Sequence, residues 1–482
     1  MTGAAIPPEV DAGMLAQVLA RASDPAGYEA WAARAQAAGW CRHPVRLVGA
    51  TRRYNAAGGE LAGTFTSDEL PDRVLLKACG QRRATRCPTC SAVYRSDAYQ
   101  LVAAGLRGGK GIPETIANHP AIFATLTAPS FGPVHSTRAD GGQSRPCRPQ
   151  PAGVCPHGQP RACHAVHDPD DPQVGSPICP GCFDYRSAVI WNALAGELWR
   201  RTTIAARRSL ARAAGIPATT LHHHVRVSFA KVVEYQRRGV VHLHAVIRLD
   251  HPDQPADPPP APFDTELLAT AVQRAASTAT VAYPSSPGLG GAARWGIQLD
   301  LRSITGHCDG PVPGMVAAYL AKYATKSTDP AGALDHRLEP ADLDTLDQHL
   351  NPHLACMVRT AWELGARPEL DHLRLRAWAH TLGFRGHWLT KSRRYSTTFA
   401  ALRAARSDWH THHDPAGTDA RGGPEDTVSV GHWRYAGTGW SSEGDAWLAA
   451  TAAARRAEGR RTARQEHNTT TTAPPSGEEP RP

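Results

Sequence analysis

Apolar positions along this chain follow a helical period in some stretches and a strand period in others. Residues 9–37 carry alanine-rich apolar positions at helical spacing (MLAQVLARAS, YEAWAARAQAAG) that stop at Gly39 and predict helix. From Trp40 to Cys90 the pattern changes to short apolar runs (PVRLVGATRRY, RVLLKAC) between turns, a compact cysteine-bearing module. SAVYRSDAYQLVAAGL predicts a helix over 91–106, and AIFATLTAPS, β-branched and bounded by Pro120 and Pro129, a buried strand over 121–130. Ile190, Leu194 and Leu198 recur every four residues in a long helix predicted over 187–215, closed by Gly215 and Pro217. Two strands follow, HVRVSFAKVVEY (224–235) and VVHLHAVIRL (240–249), separated by Gln-Arg-Arg-Gly. After a Pro-rich loop (251–263) the pattern predicts a helix (265–279), a strand (296–304) and a helix (MVAAYLAKYATKS, 315–327). Residues 331–457 are mixed and end in an Ala/Arg helix near 444–457, and the Thr/Pro/Glu-rich segment 459–482 is expected to be disordered.

Composition narrows the function classes. The 482 residues exceed one domain, and no run of about 18 apolar residues is present to span a membrane. The first residues, MTGAAIPPEV, lack the basic and apolar regions of an export signal, so a soluble, cytoplasmic protein is expected. A formal charge of +9 points to polyanionic partners. Only six of the 53 basic residues are lysine, and two of those six lie in the segment 319–326.

The 11 cysteines cluster, which in a chain without an export signal reads as metal ligation rather than disulfides. Cys87-Pro-Thr-Cys90 is a knuckle-type pair whose nearest partners are Cys79 and Cys41. Cys179-Pro-Gly-Cys182 is a second knuckle, with Cys155 and Cys163 as its best partners and Cys147, His157 and His164 competing. Two structural Zn2+ ions are expected, and the second explains how 132–182, which has neither period, could be ordered. Cys308 and Cys356 carry no pairing signal and read as packing residues.

The strand pair carries the chemistry. Residues two apart share a face of a strand, so His242 and His244 present both imidazoles together. A three-residue hairpin loop, Arg237-Arg238-Gly239, with Gly239 left-handed, sets Glu234 opposite His242 on that face. Two imidazoles and a carboxylate are a donor set for a divalent cation, with Gln236 as the fallback ligand should the register slip. In the helix over 315–327, Tyr319 and Tyr323 lie one turn apart on one face with Lys322 and Lys326 beside them. A phenol has a free pKa near 10 and attacks phosphorus only with a neighbouring cation or a polarised electrophile.

Three motifs in this order, F-x-T-L-T (Phe123–Thr127), His-hydrophobe-His (His242–His244) and Y-x-x-K-Y (Tyr319–Tyr323), closely resemble the HUH superfamily of rolling-circle replication initiators. The surroundings (CPTCSAVYRSDAYQL, KVVEYQRRGVVHLHAVIRLD, TLGFRGHWLTKSRRYS) are similar to the actinobacterial RepSA-type plasmid initiators from about Trp40 to Ser396. The resemblance implies an α+β fold with a central antiparallel sheet of HUH-endonuclease (ferredoxin/RRM-like) type, flanking helices and zinc-stabilised cysteine modules. It implies a strand- and site-specific nickase in which His242, His244 and Glu234 hold Mg2+ or Mn2+ on the scissile phosphate. A tyrosine would then form a 5′-phosphotyrosyl link and free a 3′-OH primer. Tyr323 matches the position shared by one- and two-tyrosine relatives, Tyr319 is the second nucleophile or a bystander, and Lys322 matches the motif lysine.

On that reading the chain divides into a helical, cysteine-rich region (1–118), the nuclease domain with its insertion at 132–186 (119–330), a mixed α/β region (331–458) and the tail. Arg237, Arg238, Lys326, Lys391, Arg393 and Arg394 are candidate phosphate contacts on origin DNA. The segment GLRGGKG (105–111) fails the P-loop pattern, so unwinding is left to a host helicase and extension to a host polymerase. A conjugative relaxase or single-strand transposase of the same chemistry, and a non-catalytic zinc-stabilised DNA-binding regulator, are the competing readings.

Overall fold

The computed structural model describes residues 11–286, 289–304, 312–326, 334, 336–413 and 427–471. Cys308 and the end of the tail, 472–482, lie outside the described residues. The chain divides into two compact units, one of residues 1–94 with 406–482 and the other of residues 95–405. The first unit is assembled from both ends of the sequence.

In the first unit the predicted N-terminal helix is two, α1 (Ala12–Ala22) and α2 (Pro25–Ala37), broken where Pro25 opens the second. Then follow β1 (Val45–Asn55), β2 (Leu61–Thr66), β3 (Leu75–Lys77) and α3 (Pro88–Arg107), whose residues from Arg95 on belong to the second unit. The sheet is completed from the far end of the chain. β13 (Thr427–Thr438) pairs antiparallel with β1 from Val45↔Thr438 to Asn55↔Thr427. α10 runs Glu443–Thr471, so helix continues well into the segment expected to be disordered. Ala449 of α10 shares a small aromatic core with Trp31, Ala35 and Trp40.

The second unit is built on a five-stranded, wholly antiparallel sheet. Its strands are β4 (Ala121–Leu126), β7 (Arg226–Tyr235), β8 (Val241–Asp250), β11 (Leu299–Ser303) and β12 (Leu389–Lys391), in the order β11-β4-β8-β7-β12. Leu243, Ala245, Ile247 and Leu249 alternate onto one face of β8 and share an apolar core with α4 (Tyr185–Ala213) and α5 (Thr265–Thr278). The opposite face of β8 carries His242, His244, Val246, Arg248 and Asp250. The short hairpin β5–β6 (Arg138–Asp140, Gln143–Arg145) lies in the cysteine-rich insertion, and β9–β10 (Thr280–Ser286, Leu289–Arg294) is a second, unpredicted hairpin. Helices α6 (Pro313–Lys326), α7 (Leu346–His349), α8 (Pro352–Leu364) and α9 (Phe399–His413) follow. The α+β class with antiparallel sheets agrees with expectation. No helix among the described residues is long and apolar enough to cross a membrane.

Candidate functional site

The β7–β8 connection is the three-residue loop expected. Gln236 N–H donates to Val240 O and Gly239 N–H to Gln236 O, with Gly239 at φ +75°. Any side chain there is strained, and a Cβ would lie 2.3 Å from Met357 Sδ. This loop sets the register Glu234↔His242, and the separate pairing of β4 with β8 stands Thr125 opposite His244. Buried Asn192 of α4 fixes it from beneath: its Nδ2 donates to Gly239 O and Leu382 O, and its Oδ1 accepts from Val241 N–H.

The three donor groups converge. Glu234 Oε2 lies 3.1 Å from His242 Nε2 and 3.7 Å from His244 Nε2, and the two Nε2 atoms are 3.2 Å apart. Cis donors about 2.1 Å from an octahedral cation stand about 3 Å apart, so the spacing fits a small divalent ion. Thr125 Oγ1, 3.1 Å from His244 Nδ1, occupies that nitrogen and turns Nε2 toward the cluster. Phe123 stacks on the His244 ring at 5.8 Å. Burial lowers the His244 pKa and so keeps the ring neutral, as a ligand must be. For Glu234, burial works upward, but the hydrogen bonds from His242 and His244 outweigh it and hold the carboxyl below its ordinary value. Gln236 lies outside this cluster, its Oε1 accepting from Arg238.

Helix α6 brings a phenol to the same face. Tyr319 Oη is 3.3 Å from His244 Nε2, and its ring sits edge-on to Phe123 and His244. The Tyr323 ring is 4.4 Å from that of Tyr319, and Lys322 Nζ lies 5.6 Å from the Tyr323 ring centre. Burial, then the hydrogen bond and charge of Tyr323, raise the Tyr319 pKa well above its ordinary value. Lys326 is the last residue of α6, and its side chain lies outside the described residues.

The candidate phosphate contacts separate. Arg238 donates to Ala128 O, Pro129 O and Gln236 Oε1, and burial lowers its pKa to about 10: a clamp between the hairpin tip and the end of β4. Lys391 Nζ donates to the carbonyls of Ser392, Arg393 and Ser396. Arg237 meets Asp171 O and Asp170, whereas Arg393 and Arg394 are exposed. Further along the His face, Asp250 accepts from Arg248 Nε, His119 Nδ1 and Ser228 Oγ. Burial would raise its carboxyl, but these bonds hold it at about 2. Arg248 also donates to the carbonyls of Gly105 and Tyr395.

Among the described residues there are three Cys/His clusters. Cys41, Cys79, Cys87 and Cys90 come together as expected, with sulfurs 3.6–3.7 Å apart. Cys155, Cys179 and Cys182 also meet, but their fourth partner is His157, whose Nδ1 lies 3.3 Å from Cys182 Sγ and 3.7 Å from Cys179 Sγ. Cys163, expected in that set, instead lies with His135, Cys147 and His167, and His164 belongs to neither. Spacing could not decide this, because in an irregular loop it does not report which turns face each other.

No solved structure matches the chain. A curated replication initiator protein from Streptomyces ambofaciens is 41% identical over 453 residues, covering 92% of this chain and 94% of that protein. The model of the RepSA family, described as replication initiator protein, pSAM2, matches residues 27–454, a span that takes in the β7–β8 hairpin, the tyrosine helix and all three Cys/His clusters. The chain therefore belongs to the RepSA family of replication initiators.

Proposed function

We propose that this initiator is a site- and strand-specific DNA nickase of HUH type that starts rolling-circle replication of a plasmid. The observation that carries the reading is the convergence of Glu234, His242 and His244 donor atoms, with the Tyr319 oxygen of a later helix within hydrogen-bond distance of His244. These three side chains would hold Mg2+ or Mn2+, which when bound supplies Lewis-acid polarisation and charge neutralisation at a scissile phosphate.

The protein's own groups do the rest. The Tyr323 oxygen, with the Lys322 ammonium beside its ring, forms the bond to phosphorus and gives up its proton. The bond from phosphorus to the DNA 3′-oxygen breaks, and that oxygen leaves as a 3′-OH that primes synthesis by a host polymerase. The 5′-phosphotyrosyl link keeps the bond energy for the later joining step. Tyr319, its pKa raised by burial, stands beside His244 as the second phenol. Phe123 and Thr125 hold His244 in the orientation the chemistry needs. Arg237, Arg393 and Arg394 contact phosphates of origin DNA, and a host helicase unwinds the duplex. Structural zinc at Cys41/Cys79/Cys87/Cys90 and at Cys155/His157/Cys179/Cys182 holds the two cysteine modules; the N–H donors of Arg42 and Cys79 onto Cys87 and Cys41 sulfurs favour thiolates at the first.

The test is incubation of supercoiled origin plasmid with protein and Mn2+. Open circles and a denaturant-resistant protein–DNA adduct are expected, with the adduct on Tyr323 by peptide mapping and absent in Tyr323→Phe. Binding that shifts the plasmid but leaves it intact, with no adduct, would instead mark a non-catalytic regulator.

A further inference from the structure

We propose that His135, Cys147, Cys163 and His167 form a third zinc site, of Cys2His2 type, that locks the cysteine-rich insertion onto the tip of the β7–β8 hairpin. The donor atoms are already gathered. His135 Nδ1 is 3.1 Å from His167 Nε2, Cys163 Sγ is 3.5 Å from His167 Nε2, and Cys147 Sγ is 4.0 Å from His135 Nδ1. Donors about 2.0–2.3 Å from a tetrahedral zinc stand roughly 3.3–3.8 Å apart. The surrounding bonds orient them as ligands. Asp171 Oδ2 lies 2.6 Å from His167 Nδ1, so that nitrogen donates to the carboxylate and leaves Nε2 for a metal. Ser136 N–H donates to Cys147 Sγ at 3.2 Å, as it would to a thiolate.

The backbone builds the site deliberately. Cys147 N–H donates to Ala165 O, and Arg148 and Cys163 exchange both backbone bonds, which brings the two sulfurs together across a small ladder. His135 is held by Ser176 and Gly175 in the same way. Apart from the neighbouring Cys155/His157/Cys179/Cys182 cluster, little else could hold this segment. Between Phe131 and Phe183 the buried side chains are Cys147, Cys155, His167, Pro177 and Cys179, with no Leu, Ile, Val or Phe among them. A segment of this size without an apolar core needs another source of folding free energy.

The same metal-bearing turn touches the hairpin. Arg237 Nη1 donates to Asp171 O, Arg237 pairs with Asp170, and a Cβ on Gly175 would lie 2.5 Å from Arg237 carbon atoms. Asp171 thus joins the His167 imidazole to the loop that spaces Glu234 from His242.

The three clusters contain four, three and two cysteines, nine of the 11 in the chain. Full-length protein purified with zinc is expected to hold about three zinc ions per chain by elemental analysis. Peptide mapping after alkylation should find Cys147 and Cys163 protected until a chelator is added. Cys147→Ser should lower the count to about two, and Asp171→Asn should keep the ion but release it to chelator roughly 10–100-fold faster. About two ions in the wild type, with Cys147 and Cys163 alkylated at once, would overturn the site. Protection that resists chelator and yields only to a thiol reductant would do the same, since it marks a disulfide. None of these readouts depends on DNA cleavage.

Discussion

At the scale of single residues, the geometry of the candidate donor cluster depends on a side chain outside it. His244 could present either ring nitrogen; Thr125 decides the matter by bonding Nδ1. Thr125→Val preserves shape and removes that bond. It is expected to lower nicking roughly 10–100-fold while leaving far-UV circular dichroism unchanged. A second residue-scale prediction concerns Asp250, a carboxylate with four hydrogen bonds from Arg248, His119 and Ser228. Its folded pKa, about 2, is depressed below the unfolded value near 3.8. The sign follows: its stabilisation is fully present above about pH 4 and is lost as pH falls toward 2, amounting to about 2–3 kcal/mol. Asp250→Asn should therefore cost about 3 kcal/mol in urea melts at neutral pH, with the gap to wild type narrowing in acid. The two histidines and Glu234 were legible in the sequence because alternation and loop length fix them. Thr125 and Phe123 were visible as a strand and as members of the F-x-T-L-T motif but without a role, since their roles arise from a neighbouring strand in the folded sheet.

At the scale of elements, one hairpin sets the spacing of the candidate centre. Gly239 was readable as its left-handed residue because few others tolerate that conformation. Asn192 was not, since it acts from a helix some fifty residues upstream that looks like any amphipathic helix. Gly239→Ala introduces two separate penalties, backbone strain and a collision with Met357 Sδ. It is expected to cost about 2–3 kcal/mol in thermal or urea unfolding, and Met357→Ala in the same chain should not restore the backbone part. Full recovery in the double variant would show that the loop carries no conformational demand. The cysteine insertion makes the complementary point. Knuckles such as Cys179-Pro-Gly-Cys182 are local and were legible, whereas the separation of Cys163 from Cys155 depends on which strands of an irregular loop pair.

At the scale of the whole molecule, the ends of the chain form one folding unit and the middle another. Local patterns showed a short apolar run over β1 and a helix near 444–457 but could not reveal that β1 finds its long partner, β13, nearly four hundred residues later. That pairing spans every residue of β1, with Trp433 Nε1 donating to Thr51 Oγ1 across it. Removing it exposes a full row of backbone donors and acceptors on β1 and uncovers Trp31 and Trp40, which α10 helps to bury through Ala449. A chain truncated after His413 should therefore lose the protease resistance of residues 11–94, with cleavage products that begin inside that segment, while fragments from 95–405 persist. The argument rests on cooperativity, because β2 and β3 alone leave a short, one-sided sheet. Equal resistance of residues 11–94 with and without the C-terminal segment would mean that the four-cysteine module and its neighbours fold without their distant partner strand.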